Sequence, residues 1–307
     1  MSPGNSSTSI FWRGASAVLR RTGSLLIRVA NRAYTRSLPA LSVEERKLVR
    51  ANERFRNCHA GKRCFVIGNG PSLTSQDLAP LAEELTFVTN GFVKHPIVEH
   101  WQPNYYFFTD HVWFDGSEST KAFFQLLRSR VYASHFFVPS AVHEVIETQK
   151  VIPLESTSFV AFDGSWKDQI DITERLTNID TVIQLAIMTA VHMGCSPIYL
   201  LGVDHDWLAN RHSGHYNFYP GKTLSNHPVA IGEFETSYEQ DMVTMVRLWR
   251  EYRRLGEVAE KMGTRILNAT HGGFLDVFDR VNYESLFEPE KYERSANNLV
   301  EKAIIIS

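Results

Sequence analysis

Residues 64–72 run Cys-Phe-Val-Ile-Gly-Asn-Gly-Pro-Ser, an apolar stretch that breaks into a glycine turn. Gly68 and Gly70 let a ligand approach the main chain, and Pro71 pre-sets a turn or a first helical position. Ser72 or Thr74 can cap a following helix, with Asp77 in its first turn. A strand, a glycine turn and a helix N-terminus aim free N–H groups and the positive end of the helix dipole at one spot, which suits an anion. We expect a nucleotide phosphate there. The stretch is neither G-x-G-x-x-G nor G-x-x-x-x-G-K-[ST], so the dinucleotide fingerprint and the P-loop do not apply, and a tight βα turn without ligand stays open on these residues alone.

A second group of reactive side chains lies between residues 204 and 219. His205, Arg211, His212, His215, Tyr216 and Tyr219 crowd the start of a loop spanning 205–235. A loop of that length inside a compact domain is usually functional or disordered. Histidine titrates near neutrality and is the natural proton acceptor. For a group transfer, Arg211, His212, His215 and Tyr216 could divide the tasks, with His215 the candidate general base, Tyr216 the candidate hydrogen-bond donor to a departing phosphate, and His212 and Asp110 further catalytic candidates. Histidines that only cap and fill an ordered loop stay the open alternative. The same residues admit a metal reading, in which Asp204 and Asp206, helped by Asp110, His205, His212 and His215, hold Mg²⁺ against phosphates. No H-E-x-x-H or zinc spacing accompanies them. Asp204 bonded to loop backbone is the third reading.

The elements that must position these groups alternate. Strands are expected at 63–68, Thr86–Asn90, Tyr105–Thr109, Val131–Val138, Pro197–Leu201 and Arg265–Leu267. Helices are expected at about 76–85, 117–129, from Thr181 to the stop at Gly194, and over 236–262. Residues 151–177 read as a long connection. The alternation predicts an α/β fold, a Rossmann-like, mostly parallel sheet with helices on both faces. Such sheets bind ligands beyond the carboxyl ends of their strands, so Asn69, Gly70, Asn90 and Asp110 should share a rim with the turns at 202–204 and 272–273. Trp113 and Phe114 lie just past a strand end, where core packing is the expected role.

The chain has 307 residues, 43% hydrophobic and 21% charged, enough for a substantial core. A net charge of −2 argues against a general nucleic-acid binder. Cys58, Cys64 and Cys195 are widely spaced, which fits a reducing compartment rather than a disulfide scaffold.

The strand-turn pieces GNGPSL and IYLLGVD, with Asn90 after the second strand and Asn-x-Asp-Thr before a helix, resemble two related families over residues 61–280. One is the MptE-like (6-hydroxymethylpterin diphosphokinase-like) domain, and the other is the bacterial Cst-type sialyltransferases. The resemblance implies transfer from a nucleotide-activated donor, possible identities including a CMP-sugar. The nucleotide and phosphate contacts would fall on Gly68, Asn69, Gly70, Ser72, Asn90, Thr181, Asp204 and Tyr216. The sialyltransferase Arg-x-Thr-Ser stretch is replaced here by Ile179-Asp180-Thr181-Val182, and its asparagine after strand three by Asp110. The implied activity is a glycosyltransferase in surface polysaccharide or glycolipid synthesis, with a nucleotide-sugar donor, a glycan or lipid-linked acceptor and no certain cofactor. The alternatives are a diphosphokinase using ATP and Mg²⁺, and a nucleotide-binding accessory protein.

Residues 1–40 open with a small, polar start, expected to be disordered. Within residues 10–36, Arg13, Arg20, Arg21, Arg28, Arg32 and Arg36 occur with no acid before Glu44. On a helix they gather opposite Phe11, Trp12, Leu19, Leu26, Val29 and Ala30, the pattern of an in-plane helix on an anionic membrane surface. A helix docked on its own domain and an Arg-rich transit peptide are the competing readings. The membrane-surface reading implies a cytoplasmic protein held peripherally at the inner face of the cell membrane. Residues 41–60 form a connecting helix with a Ser42/Glu45 capping box, 61–285 the transferase domain, and 286–307 a tail.

Overall fold

The computed structural model describes residues 40–162, 166–211, 216–219 and 237–287. The basic segment 10–36, His212, His215 and most of the tail lie outside the described residues.

Eight parallel strands form one sheet: β1 (Cys64–Ile67), β2 (Leu85–Thr89), β3 (Tyr105–Phe107), β4 (His135–Pro139), β5 (Thr157–Phe162), β6 (Arg175–Leu176), β7 (Ile198–Leu201) and β8 (Ile266–Asn268). The spatial order is β6-β5-β4-β3-β2-β1-β7-β8. The chain therefore builds outward from β1 through β6, then returns to the other side of β1. Phe65 pairs with both Thr86 and Tyr199. The strand order reverses between β1 and β7, which is where a ligand crevice opens in such sheets.

Every residue of β1 is buried because both faces of the sheet are covered. Cys64 and Val66 face a core built with helices α4 (Val182–His192) and α5 (Tyr238–Lys261). Phe65 and Ile67 face the opposite core, shared with α2 (Glu118–Arg130) and α3 (His143–Gln149). Trp113 and Phe114 are buried in that second core. The Rossmann-like α/β expectation holds.

Helix α1 (Val43–Arg50) starts with the expected capping box, Ser42 accepting from the Glu45 N–H and Glu45 accepting from that of Ser42. A short 3₁₀ turn, Ala51–Phe55, follows. Its Asn52 is buried and donates to the carbonyls of Phe159 and Ile172, so this segment is welded to β5 rather than merely connecting. Gly194 closes α4 at a φ of +77°, as a helix-stopping glycine should.

Two expectations need correction. No α-helix covers 76–85; β1 and β2 are joined by 3₁₀ turns at Pro71–Ser75 and Ala79–Glu83. Pro80 lacks an N–H for a helical ladder. Gln76 is extended, its amide donating to the Ala269 carbonyl, and Asp77 accepts from the Ala79 N–H as in an Asx turn instead of sitting in a helix. Residues 151–177 are not a plain connection, because they contain β5 and β6. No helix among the described residues is long and apolar enough to cross a membrane.

Candidate nucleotide-binding cleft

The turns after β1 and β7 are sewn together. The N–H of Gly68 donates to the Leu201 carbonyl and that of Gly70 to the Gly202 carbonyl, each at 2.8 Å. The Ser72 N–H and hydroxyl both donate to the Asp204 carboxylate, at 3.1 and 2.8 Å. A Cβ on Gly68 would stand 2.4 Å from the Gly202 oxygen, and one on Gly70 would stand 1.7 Å from Asp204 Oδ2. Close approach of two strand ends therefore explains these glycines. The N–H groups expected to cradle a phosphate at Gly68, Gly70 and Ser72 are already bonded, and no α-helix begins there.

A cleft of about 290 Å³ nevertheless opens over this seam, and the turns after β1, β2 and β7 converge on it, whereas the 272–273 turn packs against the Asp204 backbone and does not line it. Gly68–Gly70, Thr89–Asn90, Gly202–Trp207 and Tyr216 all line it. So do Asp180–Ile183, which place the start of α4 in its wall. Gln184 Oε1 accepts from the N–H groups of Asp180 and Thr181. The N–H groups of Val182 and Ile183, first in the helix, have no intrahelical acceptor. The positive helix pole expected after β1 is thus supplied by α4. Asp180 also pairs with Arg247 at 2.6 Å, clamping α5 against this corner.

Two amide side chains define the polar character of the cleft. Asn69 donates to the carbonyl and hydroxyl of Thr89 at 2.9 and 3.0 Å, which fixes its amide orientation and turns Oδ1 away. That oxygen and Oδ1 of Asn90 are buried without a hydrogen-bond partner. Buried acceptors left unpaired are costly, and both await a donor. Asn90 sits at a φ of +44°, a left-handed conformation that asparagine tolerates better than most residues. Next to it, Gly91 accommodates Tyr219, whose hydroxyl would lie 2.2 Å from any added Cβ. The Phe218 N–H donates to the Asn69 carbonyl, so residues 216–219 lie across the mouth.

Asp204 is buried, and burial outweighs its Ser72 hydrogen bonds to push its carboxyl up to about 6, with nearby Asp206 adding to the rise. Burial also raises Asp206, which accepts from the Asn210 amide at 2.8 Å. His205, at a φ of +48°, places Nε2 2.8 Å from the Tyr252 hydroxyl, and burial drops it to about 4, leaving a neutral ring at pH 7. The Tyr216 hydroxyl donates to the Arg211 carbonyl at 2.7 Å, and the Arg211 guanidinium pairs with Asp241. Among the described residues no group of three His, Cys, Asp or Glu side chains could hold a metal ion.

A second cleft, about 410 Å³, adjoins the first. Glu45, His111, Ser140, Arg175 and Asn178 line it, and Asp110, Asp180 and Thr181 belong to both walls. Of the residues singled out from sequence, Gly68, Asn69, Gly70, Asn90, Asp110, Thr181, Asp204 and Tyr216 line the first cleft, while Ser72 lies behind it as the partner of Asp204. Asp180 as a clamp and the open N–H groups of α4 were missed. The Asp180-Thr181-x-x-Gln184 cap was the available signal.

The sequence matches no family model, and no curated protein matches it, so the MptE-like resemblance has no support from a family model. Among solved structures, the chain is similar to the sialyltransferase CstII from Campylobacter jejuni in complex with the substrate analogue CMP-3FNeuAc, at 15% identity, with 72% of this chain and 86% of that chain covered and a TM-score of 0.40. It is similar to the same degree to the sialyltransferase CST-II in complex with trisaccharide acceptor and CMP, at 14% identity, a TM-score of 0.40 and the same coverage of both chains.

Proposed function

We propose that the chain is a glycosyltransferase that holds a nucleotide-activated sugar in the first cleft and an acceptor hydroxyl in the second. The observation that carries this reading is the shared wall of Asp110, Asp180 and Thr181 between the two clefts. A group transfer needs two substrates meeting at one point, and a near-attack arrangement places their reacting atoms about 3–3.5 Å apart.

The unpaired oxygens of Asn69 and Asn90 call for donors, which ribose hydroxyls or the exocyclic amine of a base such as cytosine supply. The donor phosphate then sits at the start of α4, where N–H groups and dipole favour the charge that grows as the sugar–oxygen bond breaks. Asp110, on the shared wall, accepts the proton of the acceptor hydroxyl as the new bond forms. His212 and His215 remain proposed partners in that step. Residues 10–36 hold the protein at an anionic membrane surface, on the cytoplasmic side where nucleotide sugars and a lipid-linked acceptor meet.

Thermal shift with CMP, UDP, GDP and ATP, each with and without Mg²⁺, tests the reading. Stabilisation by a pyrimidine nucleotide without metal is expected. Stabilisation by ATP with Mg²⁺ alone points to a diphosphokinase, tight binding without turnover points to an accessory protein, and no shift with any nucleotide sinks the cleft assignment.

A further inference from the structure

The hydrogen-bonding groups around the first cleft divide unevenly. Several of its donors are spent inside the protein. The Asn69 amide donates to Thr89, the Thr89 hydroxyl to the Ile67 carbonyl, the Val203 N–H to the Thr270 hydroxyl and the Tyr216 hydroxyl to the Arg211 carbonyl. The N–H groups that stay open at the start of α4 go to the phosphate under the proposed function. On the acceptor side, Oδ1 of Asn69 and of Asn90 has no partner, and the carboxylates of Asp110, Asp180, Asp204 and Asp206 line the same space.

The charges divide in the same direction. Among the described residues, no lysine or arginine lines this cleft. Arg247 is held on Asp180 through contacts of 2.6 and 3.0 Å, and Arg211 is held on Asp241. Asp180 is thereby matched, and Asp204 takes its hydrogen bonds from Ser72. Asp206 takes one from the neutral Asn210 amide, and no cation pairs with it among the described residues. Burial, which raises the Asp206 carboxyl, also leaves little water to screen a second negative charge beside it.

We infer that the sugar carried by the donor brings hydroxyl or amide groups to this cleft and no carboxylate, and that Asp206 enforces the choice. The inference rests on the reading of the first cleft as the donor site and adds the class of sugar to it. A sugar hydroxyl donates to a carboxylate in a charge-assisted bond. A sugar carboxylate can only accept, and beside Asp206 it meets like charge, which selects against it. The nucleotide phosphate has the pole of α4 to offset its charge. A carboxylate elsewhere on the donor has no second pole of that kind among the described residues.

Titration calorimetry on the full-length chain, with donor pairs that differ by one carboxylate, tests the inference. The pairs are UDP-glucose and UDP-glucuronate, GDP-mannose and GDP-mannuronate, and the methyl ester of CMP-N-acetylneuraminate and CMP-N-acetylneuraminate itself. In the pair whose nucleotide the protein binds, the member without the carboxylate should bind about tenfold tighter at low salt, and the gap should shrink at high salt. Asp206→Asn should bring the two members within about threefold of each other. Equal binding by the wild type, or a preference for the carboxylate, overturns the inference and leaves the cleft a nucleotide site. A gap of unchanged size both in Asp206→Asn and at high salt also overturns it, because shape and not charge would then set it. Failure of every member to bind sinks the donor-site reading, and the inference with it.

Discussion

The two sides of the rim are built on different principles. Between β1 and β7, backbone meets backbone: the N–H groups of Gly68 and Gly70 are spent on carbonyls of β7 and its turn, and Ser72 is spent on Asp204. On the β3–β6 side, the second cleft is lined by side chains such as Glu45, His111, Ser140 and Asn178. The first side is a seam that holds the site together, and its glycines are required by proximity. The second is lined by side chains rather than backbone, and it is the cleft to which the proposed function gives the acceptor. Asn69, carried by the seam, and Asn90, just after β2, both present unpaired acceptors.

The largest effect should come from breaking the seam. Gly70→Ala drives a methyl group into Asp204, and Gly68→Ala drives one into the Gly202 carbonyl, a backbone atom that cannot swing away. Each should cost roughly 4 kcal/mol or more, a fall of about 10 °C in the thermal unfolding midpoint. Gly91→Ala meets the far end of the Tyr219 side chain, which can move. It should lower the midpoint by only a few degrees. Equal losses at Gly68 and Gly91 would erase the distinction between seam and lining.

The shared wall comes next. Asp110→Asn keeps the shape of the side chain and removes its ability to take a proton. Turnover should fall about 100-fold, in the range of general-base removal, while donor affinity by calorimetry stays within about threefold. A matching loss of donor affinity would move Asp110 from catalysis to binding.

A smaller effect is expected at Asn90. Glycine tolerates the φ of +44° there, so Asn90→Gly removes the acceptor without straining the turn. Nucleotide affinity should drop about tenfold, equivalent to about 1.4 kcal/mol, with the unfolding midpoint nearly unchanged. Unimpaired affinity would mean that the orphan oxygen is not a ligand contact.

This contrast also marks what could be read from the amino-acid sequence. The buried runs of β1 and β7, the Ser42/Glu45 cap and the Gly194 stop were legible because each is a local pattern with a local cause. The convergence of Gly68, Asn90 and Gly202 followed from topology. The supposed helix at 76–85 failed because a tertiary tie, Gln76 to the Ala269 carbonyl, competes with propensity. β5 escaped notice because Thr157–Ala161 is buried throughout and shows no alternation. Which N–H groups remain open is a matter of partners distant in the chain, and so a helix N-terminus was expected after β1, whereas the one in the cleft wall belongs to α4.

The last prediction asks how the seam responds to acid. Folded Asp204 gains its proton at about 6, against roughly 3.9 for an unfolded aspartate. Between those values the folded chain holds a proton that the unfolded chain has lost. Acidification therefore stabilises the fold through this group, and the contribution disappears as pH rises through 6. From pH 7 to pH 5 it amounts to about 1.3 kcal/mol, roughly 3 °C. His205 and His135 act in the opposite sense. Burial holds both at about 4, with the Arg54 charge helping at His135, so the unfolded state takes their protons first and acid weakens the fold. The share of Asp204 is thus visible only as a difference. Asp204→Asn keeps an acceptor for the Ser72 N–H and removes the titration. The gap in unfolding midpoint between wild type and Asp204→Asn should move by about 3 °C in favour of wild type as pH falls from 7 to 5. Parallel curves would mean that the carboxylate stays ionised in the seam, and that Ser72 alone compensates for its burial.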